Sequence, residues 1–185
     1  MAKASKAKSA LANPGKLSAF DKGSRYVTVI IETPKGSRNK YAFDPEERIF
    51  GLKKVLPAGI AFPYDFGFVP STIGGDGDPL DVLVLMDEPA FAGCKLTARV
   101  IGIIEGEQGE KKEWERNDRV VAIEVDNHSF SEIRHIKDLG KQFQQEIEEF
   151  FVTYHRLDRK QFRVLNVKGP GAALKAISQA QRKGK

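Results

Sequence analysis

A chain of 185 residues, 41% apolar and 30% charged, has the size of one ordinary domain and too many hydrophobic residues to be disordered throughout. Its one cysteine, Cys94, excludes a disulfide framework within the chain and points to a reducing compartment, the cytoplasm. No apolar run approaches the roughly 20 residues that a membrane-crossing helix needs. The start, MAKASKAKSALANPGK, lacks the apolar block of a secretory signal, and its Ser, Ala and Lys leave a transit peptide as a minor alternative.

The net charge of +5 is carried by the ends. Residues 1–16 hold four lysines and residues 175–185 hold four cations, neither with an acid, so removing those eight charges leaves the middle at −3. Basic tails of this kind attract anionic partners or simply solvate the ends. Residues 1–16 are expected to be a basic tail without fixed structure, 17–178 a single domain, and 179–185 a basic end.

Residues 26–32 (YVTVIIE) are β-branched and aromatic enough for a strand, and TPKGS after them reads as a turn. Two short strands are expected at 40–43 and 48–52, separated by Asp44-Pro45. Residues 57–79 combine Pro, Gly and aromatics, which excludes a helix and reads as a long packed loop. The run DVLVLM from Asp81 is apolar throughout, as in a strand buried on both faces. Further strands are expected at 96–105 and 119–125, with a polar, hairpin-like excursion between them. From Asp138 the period changes: Leu139, Phe143, Ile147, Phe150, Phe151, Tyr154 and Leu157 recur at spacings of three and four, one face of a helix. A second helix is expected from Pro170. Many short strands followed by helices predict a mainly β, α+β fold: a small barrel with helices packed outside.

The densest chemistry is Gly74-Gly75-Asp76-Gly77-Asp78-Pro79-Leu80-Asp81, three carboxylates within six residues. Like charges held so close repel, and a divalent cation offsets that cost. Oxygen ligands of this kind suit Mg²⁺, Mn²⁺ or Ca²⁺. The plain alternative is a polar turn whose Asp side chains cap backbone amides. A calcium-binding EF-hand loop is excluded because Asp81 occupies the slot where it requires Gly, and no helices flank the segment. Walker, HExxH and G-x-S-x-G motifs are absent, and His128, His135 and His155 have no paired zinc-ligand spacing.

The segment DGDPLDVLVL, preceded by FPYDFGFVPST, resembles the signature region of the soluble family I inorganic pyrophosphatases, and the likeness runs through most of residues 25–165. The resemblance implies an OB-like five-stranded barrel and hydrolysis of pyrophosphate to two phosphates, with several Mg²⁺ ions per site and Mn²⁺ as a substitute. It also implies a bacterial-type homo-oligomer, often a hexamer. Carried over, Asp76 and Asp81 resemble metal ligands, and Asp78 the carboxylate that orients or deprotonates the attacking water. Glu32, Lys40 and Tyr154 match an active-site Glu, a phosphate-binding Lys and a phosphate-contacting Tyr.

Several matching positions depart from the family pattern. Lys54 stands for a phosphate-binding Arg and His155 for a Lys, both implied to bind substrate, while Phe62 and Phe66 stand for two Tyr and Ala42 for an acidic residue. Glu107 and Gln108 fall roughly at an Asp-Glu pair, which implies Glu107 as a further metal ligand, and Asn117-Asp118-Arg119 replaces Asp-x-Lys, so either Asn117 or Asp118 is left as the metal ligand there and Arg119 as the phosphate contact. With the acidic trio intact, the expectation is a divergent but working enzyme. The runner-up is hydrolysis of another phosphoanhydride or a short polyphosphate. A nucleic-acid-binding OB module is the third reading, and the acidic middle of the chain argues against it.

Overall fold

The computed structural model describes residues 12–110 and 113–183, so most of the basic N-terminal segment lies outside the described residues. In chain order the strands are β1 (Val27–Thr33), β2 (Asn39–Asp44), β3 (Ile49–Val55), β4 (Asp65–Phe68), β5 (Asp81–Leu85), β6 (Lys95–Glu110), β7 (Glu113–Arg116), β8 (Arg119–Glu124) and β9 (Gln161–Lys168). The helices are α1 (Gly140–Leu157) and α2 (Pro170–Lys183), with 3₁₀ turns at Pro14–Lys16 and Ile136–Leu139. None of the described helices is long and apolar enough to cross a membrane.

Five strands close on themselves in the order β1-β4-β5-β8-β6, and β6 pairs back to β1. All pairings in the ring are antiparallel except β5–β8, which run parallel. Closure removes the exposed edges that an open sheet would present. The continuous apolar run of β5 is explained by what covers it. Val82 and Val84 pack in one cluster with Ala173 and Ile177 of α2, while Leu83 and Leu85 pack in the other with Phe143, Ile147 and Phe151 of α1. A strand covered on both faces has no polar face to alternate with.

Two strands escape the sequence pattern. The loop expected over 57–79 contains β4, all four of whose residues are buried. DFGF is short, flanked by Pro63 and Pro70, and interrupted by Gly67. That glycine is required, because a Cβ there would lie 2.0 Å from the Ile30 carbonyl oxygen on the neighbouring strand. The other is β9, which pairs along the extended second half of β6. The polar excursion is the β6–β7 hairpin, formed as β6 runs on to Glu110.

The division drawn at residue 178 falls inside α2, which runs on to Lys183 with Ala180 buried. Within the expected N-terminal tail, Pro14–Lys16 form a capped turn. Outside the barrel, β2 and β3 make a separate hairpin. It is tied to β1 by Thr33, whose hydroxyl accepts from the Tyr41 N–H (3.0 Å) and donates to the Tyr41 carbonyl (3.1 Å).

Candidate active site

The barrel mouth, the β2–β3 hairpin and the C-terminal half of α1 enclose a cavity of about 860 Å³. Its acidic wall is the loop leading into β5. Gly77 adopts a φ of +87°, a conformation that favours glycine, and the Gly74 N–H closes the turn onto the Asp78 carbonyl (2.7 Å). Asp76 Oδ1 accepts from the Asp78 N–H (3.2 Å). Asp76, Asp78 and Asp81 all line the cavity, as does Glu32 at the end of β1, whose Oε1 accepts from the Phe43 N–H (2.8 Å).

Asp76, Asp81 and Glu32 are held out of the ordinary carboxylate range. Burial, then the neighbouring Asp81, raises Asp76 to about 6. Burial also raises Asp81 to about 6, against the pull of Arg119 and Lys40. Glu32 is raised by burial, which outweighs Lys40 and the Phe43 hydrogen bond. Among the described residues no three His, Cys, Asp or Glu side chains form a ready-made metal cage. The donor set nonetheless fits Mg²⁺, a hard ion that keeps several waters and takes only one or two carboxylates from the protein. Partly desolvated carboxylates that raise one another's pKa are the groups such an ion relieves.

The opposite wall is cationic and aromatic. Lys40 lies 4.4 Å from the Phe66 ring centroid and 5.8 Å from that of Phe62. The two phenyl rings that stand where hydroxyls were expected therefore brace a lysine through cation–π contact. Burial lowers the Lys40 pKa, and Asp81 and Glu32 oppose the shift. Lys54 Nζ is 2.6 Å from Asp158 Oδ2 and 3.9 Å from the Tyr154 ring centroid. Burial, then Asp158, raises the Tyr154 hydroxyl, which therefore stays a donor at neutral pH.

Arg119 is 2% exposed, with its guanidinium 4.0 Å and 4.6 Å from the ring centroids of Phe151 and Phe162. It donates to the Asn117 carbonyl (2.7 Å) and to His155 Nε2 (3.1 Å), lies 3.9 Å from Asp81, and leaves its buried Nε–H without a partner among the described residues. A guanidinium only donates, so His155 Nε2 must accept and Nδ1 carries the proton. Burial, then Arg119, pushes the His155 pKa down to about 3.

The cavity gathers most of the residues read from the sequence, but not all. Ala42, Gln108 and Asn117 line it. Glu107 does not: it pairs with Arg163 on β9. Asp118 also turns away, accepting from the Gly106 N–H (3.1 Å), pairing with Arg116 (2.8 Å) and lining a second cavity behind the acidic loop. Strand alternation on β6 explains Glu107, since neighbouring residues face opposite sides, and Asp118 lies in the two-residue link between β7 and β8. Of the two neighbouring pairs, Gln108 and Asn117 line the cavity while Glu107 and Asp118 lie outside its lining.

Sequence reasoning missed Lys16, Lys53, Glu115, Asp158 and Lys160, all of which line the cavity. Glu115 accepts from Gln108 Nε2 (2.7 Å), a cross-strand partnership on the β6–β7 hairpin. Only the strand alternation of that hairpin, once recognised, could have signalled it.

A closed barrel whose mouth sets carboxylates against lysines and an arginine defines a class: OB-like proteins built to handle a multiply charged anion together with a divalent cation. Comparison with known proteins gives the family. Residues 29–185 match the inorganic pyrophosphatase family. An inorganic pyrophosphatase from Synechocystis is 38% identical over 153 residues, 83% of this chain and 88% of that protein. One from Geobacillus stearothermophilus is 37% identical over 84% of this chain and 92% of its own length. The crystal structure of the Thermus thermophilus inorganic pyrophosphatase superposes with a TM-score of 0.85 at 34% identity, covering 94% of this chain and 99% of that one. The chain belongs to the inorganic pyrophosphatase family, metal-dependent hydrolases that split pyrophosphate into phosphate.

Proposed function

We propose that this chain hydrolyses inorganic pyrophosphate to two orthophosphates with Mg²⁺ as its divalent ion and Mn²⁺ as a substitute. One observation carries the reading in a member of this family: a single cavity holds carboxylates that form no ion pair among the described residues (Glu32, Asp76, Asp78), together with Lys40, braced by rings, and the Arg119 Nε–H, which has no hydrogen-bond partner among them. Asp76 and Asp81 hold the metal, and Asp78 orients the attacking water and takes its proton. Bound there, Mg²⁺ supplies charge against the phosphate oxygens and lowers the pKa of water enough for hydrolysis near neutral pH. Lys40 and Arg119 grip the departing phosphate, and the Tyr154 hydroxyl donates to it.

The proposal includes a homo-oligomer in the cytoplasm, supported by the family resemblance and the lone Cys94. Exposed Ile49, Leu52 and Val55 on the hairpin offer an apolar surface for assembly, which sedimentation at low concentration tests.

The test of the chemistry is phosphate release from pyrophosphate with Mg²⁺, run on the parent, Asp78→Asn and Asp81→Asn. Loss of the acid–base group in Asp78→Asn is expected to lower kcat by roughly 10²–10⁴. Asp81→Asn is expected to raise the Mg²⁺ concentration required. Activity that survives both substitutions contradicts the proposal. With phenyl rings at 62 and 66 in place of hydroxyls, the pocket also suits a longer polyphosphate; tripolyphosphate in the same assay separates the two substrates.

A further inference from the structure

Lys40 pairs with Lys54 across the β2–β3 hairpin, and Tyr41 pairs with Leu52, so Lys53 has no residue opposite it. This is a β-bulge, one extra residue on one strand, a device that re-aims side chains and recurs beside active sites. In a regular strand Lys53 and Lys54 would point to opposite faces. Here both line the cavity with Lys40.

The three ammonium groups are differently engaged. Lys40 is braced by Phe66 at 4.4 Å and drawn on by Asp81 and Glu32. Lys54 is held 2.6 Å from Asp158. Lys53 is exposed, pairs with no carboxylate among the described residues, and lies close enough for its charge to act on both Glu32 and Lys40. Burial hinders a charge from meeting a new anion less when the group is still hydrated and mobile, and a lysine ammonium brings three donors to phosphate as a point charge.

We propose that Lys53 is a substrate-binding residue, aimed by the bulge at a phosphate group of the phosphoanhydride and supplying the contact that Lys54, held by Asp158, does not. The inference rests on the pyrophosphate reading and adds to it a residue outside the signature region.

The experiment compares the parent with Lys53→Ala, Lys53→Arg and, as a surface control on α1, Lys141→Ala. It reads KM and kcat for pyrophosphate at saturating Mg²⁺, and inorganic phosphate affinity by calorimetry. Lys53→Ala is expected to raise KM and weaken phosphate binding about tenfold, with kcat changed less than about threefold. Lys53→Arg keeps a cation at the bulge and is expected to stay near the parent, as is Lys141→Ala. Should Lys53→Ala perturb the hairpin by circular dichroism, Lys53→Gln, which keeps the side chain's length without its charge, carries the same comparison. An active parent whose Lys53→Ala variant keeps its KM and phosphate affinity overturns the proposal, as does Lys53→Arg falling as far as Lys53→Ala. A parent that neither binds phosphate nor releases it from pyrophosphate overturns the underlying reading, a different result.

Discussion

His155 holds Arg119 in place by staying neutral. It accepts from Arg119 at 3.1 Å and stacks on Phe162 with ring centroids 5.0 Å apart. Its folded pKa is near 3, against an ordinary 6.5. Below pH 6.5 the unfolded chain takes up a proton that the folded chain refuses, so stability is lost as pH falls from 6.5 toward 3. Between pH 7 and 5 this group alone removes about 2 kcal/mol. Asp76 and Asp81, raised to about 6, act with the opposite sign, since the folded chain takes up their protons before the unfolded one does. The decisive quantity is therefore the difference between the parent and His155→Gln, which keeps an acceptor but does not titrate. Urea unfolding is expected to show the parent losing about 2 kcal/mol more than His155→Gln over that interval. Equal losses contradict the buried neutral imidazole. At this scale the acidic trio was legible from spacing alone, because like charges so close in sequence cannot separate in space. Which of Glu107 and Gln108 lines the cavity was not legible, because a single sequence does not fix which face of a strand each residue takes.

Elements decide how well those residues are held. The acidic loop is clasped at its base by buried Thr72, whose hydroxyl donates to the Val69 carbonyl (2.6 Å) and accepts from the Leu80 N–H (2.9 Å). Alongside it the Ile73 N–H reaches the Ala180 carbonyl of α2 (3.1 Å), so the C-terminal helix buttresses the same loop. Thr72→Val keeps the shape but strands a buried N–H, at about 1–3 kcal/mol. We predict that it weakens Mn²⁺ binding about tenfold by calorimetry, with the secondary structure intact by circular dichroism, while Thr72→Ser stays near the parent. Unchanged Mn²⁺ affinity in Thr72→Val contradicts the clasp. The long α1 was legible because its apolar residues keep a helical period, and β5 because it is covered on both faces. β4 was not, since four residues between prolines carry no period. Nor was the bulge at Lys53, which exists only as a mismatch between paired strands.

Over the whole molecule, the closed ring of β1, β4, β5, β8 and β6 fixes two walls of opposite charge at one mouth. The acidic wall comes from one loop and β1. The cationic and aromatic wall comes from a hairpin outside the ring, from β8 and from α1, elements far apart in sequence; the family resemblance picked out Lys40, Lys54, Arg119 and Tyr154, while Lys53 and Lys160 carried no motif to read. Substitutions away from the family pattern fall mainly on hydroxyls, amides and the identity of cations, while the signature keeps Asp76 and Asp81, the proposed metal ligands, and Asp78, the proposed water-orienting carboxylate. The account therefore predicts a working enzyme.

The most direct test is phosphate release from pyrophosphate by the purified full chain as Mg²⁺ is titrated from zero, with EDTA added at the end. The expected result is no release without metal, a saturable rise with Mg²⁺, and loss of activity on chelation. Protein that binds the metal by calorimetry yet leaves pyrophosphate intact across the titration contradicts the account.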